Sequence, residues 1–196
     1  DHVFAMDGSP TEVIWTSPIQ ENRNIYEVEF DDGVKVTADA DHLWLAHNRV
    51  DRHQHRDARV VTTEEMSKSV VYCGRKNWSV PLNGPAQYAP VDLPIHPYVL
   101  GAWLGDGNSN EPQLTFHEDD KEIWEHCIAL EGGTCKMRPC KERPQVIRGT
   151  FGGVGFRKRL KSLGIVGKAG SKFIPAQYLV ASEQQRRALL AGILDT

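Results

Sequence analysis

Val99-Leu100-Gly101-Ala102-Trp103-Leu104-Gly105-Asp106-Gly107 is a short apolar stretch closed by an acid and a glycine. It returns at the far end of the chain as Leu190-Ala191-Gly192-Ile193-Leu194-Asp195-Thr196. Each reads as an apolar helix with small residues on one face. Small side chains let two helix backbones approach closely, so the pair predicts two closely packed helices. An acid at the foot of each would then lie beside its mate, and two adjacent carboxylates can hold a divalent cation. For either stretch taken alone, the plainer reading is an ordinary packed helix that ends in Asp-Gly or Asp-Thr.

The residues around these stretches read as an α/β fold. Tyr98 to Leu104 follows Pro97, which sits at or near the first helical turn, where a missing N–H costs little. Asp119 to Glu131 places Ile123, Trp124, Cys127 and Ile128 on one helical face, and Gly132 stops it. Phe156, Leu160 and Leu163 repeat at helical spacing with Arg157, Lys158, Arg159 and Lys161 between them. Ser182 and Gln185 form a capping-box pattern that opens a last helix, with Leu189, Leu190, Ile193 and Leu194 expected to face inward. Gln113 to Phe116 and Gln145 to Thr150 read as strands.

Upstream the period changes. Val3-Phe4 and Val13-Ile14-Trp15 flank a turn at Met6 to Pro10. Tyr26-Glu27-Val28-Glu29-Phe30 alternates apolar with acidic residues, Asp31-Asp32-Gly33 supplies a hairpin turn, and Val34-Lys35-Val36 returns. Leu43-Trp44-Leu45 and Val70-Val71-Tyr72 are further strands, and Asn48 to Arg59 reads as a polar loop. Apart from a short turn at Thr63 to Ser67, this half is predicted to be all β. A proline-rich connector, Pro81 to Pro97, separates the two styles.

The chain has 196 residues, 40% hydrophobic and 25% charged, which is the balance of a folded protein with its own core. No apolar run approaches the ~20 residues of a membrane span, and Asp1-His2-Val3-Phe4 does not read as a signal peptide. The net charge of −3 hides an asymmetry. From Lys136 to Lys172, eleven Lys or Arg stand against one acid, Glu142, which makes that stretch +10 and the remainder −13. Such a segment on an acidic body fits a polyanion partner, most plausibly nucleic acid, and equally a solvated basic face. Cys73, Cys127, Cys135 and Cys140 show no metal-ligand spacing; Cys127 is expected as a buried free thiol. His42, His47, His53 and His55 form a denser group, with zinc as a remote option.

Together the two motif stretches resemble the paired motifs of LAGLIDADG homing endonucleases, the second closely and the first as a looser variant. The resemblance implies an αββαββα repeat whose strands form a DNA-reading saddle. It makes Asp106 the metal ligand of the first motif and Mg²⁺ the cofactor for phosphodiester hydrolysis. Asp195 matches an earlier, mainly structural position of the motif, and the second metal ligand would fall at position 197. The basic segment, with Arg148, Arg157, Lys158, Arg159 and Lys161, is then expected to meet DNA phosphates.

With an endonuclease of this kind in view, Tyr26 to Leu45 resembles the second splicing block of inteins of the Hint fold, with Asp39-Ala40-Asp41-His42 at its centre. The matching His of that family polarises the upstream scissile amide and protonates its leaving nitrogen, work suited to a group that titrates near neutrality. Most inteins carry Thr three residues before that His, where this chain has Asp39. Asp-Ala-Asp-His-Leu-Trp is similar to the block of class 3 inteins, in which Trp44 would shape the site around an internal Cys nucleophile. Trp44 equally serves as a large apolar residue of a small β core. The wider resemblance is to inteins in replicative DNA helicases of actinobacteria and their phages.

The expected organisation is therefore a Hint-type splicing portion over residues 1–93 and an endonuclease portion over 94–196. The expected partners are double-stranded DNA at the insertion site and the flanking segments of the host protein, which the resemblance implies is a replicative helicase. Two repeats in one chain imply a monomer, and the setting is expected to be cytoplasmic. Splicing needs no cofactor. The resemblance further implies that both ends of the family's architecture lie outside these residues, so that the chain alone neither splices nor cuts. The alternatives are a splicing intein with a decayed or merely DNA-binding endonuclease, and a DNA-binding module without catalysis.

Overall fold

A computed structural model describes residues 1–132, 135–152, 155–167, 170 and 172–196. The chain divides into two compact units, Asp1–Gly84 and Pro85–Thr196. The division falls earlier than the 93/94 boundary read from composition, because residues after Pro85 are held by the second unit. Arg186 Nη2 donates to Ala86 O at 2.5 Å and its guanidinium lies 5.3 Å from the Tyr88 ring. Gln185 exchanges two hydrogen bonds with the Val91 backbone.

The first unit is built from antiparallel pairs. β1 (His2–Phe4) pairs with β2 (Pro10–Glu12), and β3 (Ile25–Glu29) with β4 (Lys35–Asp39). β5 (Leu43–Ala46) pairs with β6 (Arg59–Thr62), and β7 (Val71–Tyr72) with β8 (Arg75–Lys76). The β3–β4 hairpin closes through Gly33, whose φ of 84° belongs to the left-handed region that a side chain disfavours. Val13 to Trp15, expected as a strand, is irregular, and Pro10–Glu12 supplies the return instead. The all-β expectation is also corrected by a short helix, α1 (Arg49–His53), and the short turn expected at Thr63 to Ser67 is a second helix, α2 (Thr63–Ser67). α1 occupies the stretch read as a loop: Asn48 and Asp51 form a reciprocal capping box, and Asp51 is buried.

The second unit begins with α3 (Pro97–Asp106), buried from Pro97 through Trp103. β9 (Gln113–His117) follows, then a 3₁₀ turn (Glu118–Asp120), α4 (Lys121–Glu131), β10 (Cys135–Pro139) and β11 (Val146–Phe151). The helices α5 (Gly155–Ser162), α6 (Ala176–Leu179) and α7 (Glu183–Leu194) complete it. The three strands form one antiparallel sheet, ordered β10-β11-β9. The described order is thus α3-β9-α4-β10-β11-α5, one strand fewer than an αββαββα repeat.

Strand alternation divides the sheet into two faces. Leu114, Phe116, Gly149 and Phe151 point to a covered face. There Trp124 of α4 lies under Gly149, where a Cβ would come within 2.7 Å of the indole, and Phe156 of α5 stacks on Phe151 at 4.1 Å. Gly132 stops α4 with φ 69°. The Ser182–Gln185 capping box forms as the sequence predicts. Leu189 is buried as expected, whereas Leu190 and Leu194 are exposed. Gly192 takes part of the inward position instead, because its bare backbone fits against α3. No helix among the described residues is long and apolar enough to cross a membrane.

Candidate functional site

The seam between α3 and α7 is made by glycine. A Cβ on Gly101 would lie 2.2 Å from Leu189 O, and one on Gly192 would lie 2.0 Å from Tyr98 O. One on Gly105 would meet Thr196 Oγ1. Contacts therefore advance together along both helices, from Tyr98 and Gly192 to Gly105 and Thr196, and the helices run parallel with their backbones touching. The expected close packing of the two motif stretches is present.

Asp106 stands exposed at the foot of this seam. Asp195, its counterpart only in part, accepts a 2.7 Å hydrogen bond from the Tyr98 hydroxyl. Burial, and then this bond, raise the Tyr98 pKa above its ordinary range. Among the described residues no group of three or more His, Cys, Asp or Glu is placed to hold a metal ion. The chain thus offers Asp106 as one oxygen donor to a divalent cation, and no step through a metal centre follows from these residues alone.

Lys172 is a neighbour of this site that sequence reasoning counted only as charge. Its Nζ donates to the carbonyls of Trp103, Leu104 and Gly107 at 2.9, 3.2 and 2.7 Å, and it lies 4.8 Å from the Trp103 ring. Trp103 O already accepts from Gly107 N, so the ammonium adds a second donor there, satisfies Leu104 O near the helix end and complements the dipole. Burial lowers the Lys172 pKa, and Asp106 opposes that shift. Nothing in the local sequence announces this contact, which joins residues far apart in the chain.

The basic segment is split by the sheet. Arg148 pairs in register with Arg138 and Thr115, and Thr150 with Lys136 and Gln113, so these side chains share the face opposite Trp124. Arg157, Lys158, Arg159 and Lys161 belong to α5, which lies against the covered face through Phe156 and Leu160. The five expected DNA contacts therefore do not form one surface. Arg159 is further committed to Pro94 O at 2.9 Å and to the buried Glu131 carboxylate at 2.5 Å, and Arg157 lies 3.7 Å from Glu111. Lys136 and Arg138, which share the Arg148 face, alternate with Cys135 and Met137 along β10. Lys168 lies outside the described residues.

In the first unit the structure brings His42, Trp44 and Asp39 together. β4 ends at Asp39, which forms a tight turn: its Oδ1 accepts from Asp41 N at 2.9 Å and its carbonyl from His42 N at 3.3 Å. Arg23 pairs with both Asp41 and Asp39. The exposed His42 ring meets the half-buried Trp44 ring edge-on at 4.9 Å, and Phe30 lies 6.2 Å beyond Trp44. Trp44 thus walls one side of the imidazole. His53 falls in α1, and His55 follows it with φ 52°. Cys127 is a fully buried thiol, its pKa pushed up to about 12 by burial; Cys73 is exposed and Cys140 half-buried.

No family model matches this chain. It is 36% identical over 218 residues to a replicative DNA helicase DnaB of Mycobacterium intracellulare, an alignment that covers 100% of this chain and 33% of the relative. It is 41% identical over 44 residues to a replicative DNA helicase DnaB of Mycobacterium leprae (strain TN), covering 22% of this chain and 7% of that protein. The chain therefore spans about a third of the length of the longer-matching curated relative.

Proposed function

We propose that this chain is part of an intein carried by a replicative DNA helicase, combining a Hint-type splicing portion with the first repeat of a LAGLIDADG homing endonuclease. The observation that carries the reading is the parallel seam of α3 and α7, closed by Gly101 and Gly192 at matching places of two similar motifs. Similarity to a third of a helicase is what an insert in such a host would leave.

In the splicing portion His42 would act as the proton carrier at the upstream scissile amide, reaching from a turn that Asp39 fixes. Trp44 would shield one side of the ring and shape the approach of a nucleophile. In the endonuclease portion the open sheet face offers Lys136, Arg138 and Arg148 to phosphates, and Gln113, Thr115 and Thr150 to base edges. Mg²⁺ would supply Lewis-acid assistance to phosphodiester hydrolysis when bound. Asp106 would hold it by one carboxylate, with Lys172 fixing the helix end that carries Asp106. Two motifs in one chain would make the enzyme a monomer, with its DNA target at the insertion site.

The test is made on the helicase precursor that carries this chain. Wild type should release the excised insert and cleave DNA bearing the uninterrupted site when Mg²⁺ is added. His42→Ala should block release, and Asp106→Asn should block cleavage. Release without cleavage, with retained DNA binding, would instead assign a splicing element whose endonuclease only binds DNA. Neither release nor binding would end both.

A further inference from the structure

The first turn of α2 converges on the loop that carries His42. Thr63 N donates to His42 O at 3.1 Å and Glu64 N to Ala40 O at 3.0 Å, so amide groups that a helix start leaves without intrahelical partners grip both sides of the turn. The Thr63 hydroxyl accepts from Trp44 Nε1 at 2.9 Å and reaches His42 O at 3.4 Å. It is 3% exposed, so water cannot readily replace it. Thr62 caps α2 by accepting from Glu65 N, which fixes where Thr63 begins the helix. One buried residue thus ties the peptide of His42 to the indole that walls its ring.

We infer that Thr63 is a positioning residue for the His42–Trp44 pair, holding the indole and the His42 carbonyl through one hydroxyl and one amide. The inference rests on the splicing role proposed for His42. Its structural arm can be read without that role. An indole N–H that loses its acceptor in a buried place has two choices: remain unpaired or rotate away. Rotation changes what the His42 ring faces, and an indole N–H left unpaired exchanges faster with solvent. Thr63→Val keeps the shape and the backbone bond but removes the hydroxyl, whereas Thr63→Ser keeps the hydroxyl.

The closing experiment has two arms. In the 196-residue chain, NMR follows the His42 ring protons, which Trp44 shifts by its ring current, and the exchange of the Trp44 indole N–H. Thr63→Val should speed that exchange about fivefold, as the loss of one hydrogen bond of ~1 kcal/mol would, and should move the His42 ring signals. Thr63→Ser should restore both. In the precursor, Thr63→Val should slow scission of the upstream amide about tenfold or more, since small misplacements of a proton carrier are costly. The pH profile should change as well, and Ser should rescue the rate. Unchanged indole exchange and unchanged His42 signals in folded Thr63→Val would overturn the inference. If Val does not fold, wild-type signals and rates in Thr63→Ala overturn it equally. Wild-type scission in His42→Ala would instead sink the splicing role, leaving the NMR arm to judge Thr63 on its own.

Discussion

The two units bury very different material. In the first, the buried apolar side chains are Ala38, Ala46 and Val61, accompanied by the buried polar Asp51, Thr63 and Asn77. Many of its large apolar residues stay in solvent, Ile14 at 92% and Trp15 at 73% exposure, while Phe30 and Trp44 are half-buried. In the second, Trp103, Trp124, Phe116, Phe151, Phe156 and Leu160 join one core with the buried face of α3. Apolar burial stabilises roughly in proportion to area, about 25 cal/mol per Å², so the second unit rests on desolvation. The first rests on satisfied polar groups. Asn77 shows how: it accepts from Arg49 N, donates to Ser69 O and Oγ, and bonds Val70 O through its backbone. A fold held this way loses more from one missing hydrogen-bond partner than from one missing methyl group.

The sharpest way to break the contrast is steric. Gly192→Ala would place a methyl group 2.0 Å from Tyr98 O, which backbone cannot yield without separating the helices. The second unit should lose about 3 kcal/mol, as overpacked interiors do, with amide exchange in β5 and β6 unaffected. Urea unfolding followed by exchange at each unit reads both at once, and a loss below about 1 kcal/mol would show that α3 and α7 are not backbone-to-backbone. Next in size, Asn77→Ala should cost the first unit about 2 kcal/mol by removing three side-chain hydrogen bonds to half-buried partners, while α3 and α7 keep their protection.

Splitting the basic segment makes a smaller, more specific prediction. Arg138→Ala and Arg148→Ala should each lower the salt slope of DNA affinity by about one. Lys158→Ala and Lys161→Ala on α5 should leave the slope unchanged. Equal effects from both sets, in fluorescence anisotropy over a salt series, would place α5 on the DNA and contradict the two-faced sheet.

The smallest effect is one of pH. Burial lowers the His96 pKa from its ordinary 6.5; Glu131 opposes the shift and His126 adds to it. The unfolded chain then takes up the proton at higher pH than the folded one, so protonation favours unfolding. Stability of the second unit should be intact above pH 6.5 and fall as the pH drops toward and through the folded-state value. Thermal unfolding of His96→Gln over the same range should show a flatter dependence.

Several of these features were legible in the residue order because their causes are local. Alternation over Tyr26 to Phe30 with Asp31-Asp32-Gly33 gave the β3–β4 hairpin. The capping pair Ser182 and Gln185 gave the start of α7, and apolar spacing gave α4 and α5. Other elements escaped. α1 lies in a polar run with no apolar face to reveal it, and its stability comes from the buried Asp51 and its cap. β10 is short, basic and closed by Pro139. Thr62 followed three residues later by Glu65 was a readable capping signal for α2, yet its target, the His42 loop, was not.

By itself the sequence determined the change of period between the two halves, the paired motif helices and the candidate acid and imidazole at Asp106 and His42. The period change and the paired helices follow from local propensity, spacing and small side chains, which act within a few residues; His42 and the metal role of Asp106 are what the family resemblance implies. Only the tertiary structure decided that Lys172 caps the helix of Asp106, that Thr63 ties His42 to Trp44, and that the basic run falls on both sides of a sheet. Each of these depends on which distant strands and turns meet. A carbonyl, a hydroxyl or a sheet face becomes available to a side chain only once long-range packing has brought it within hydrogen-bond reach.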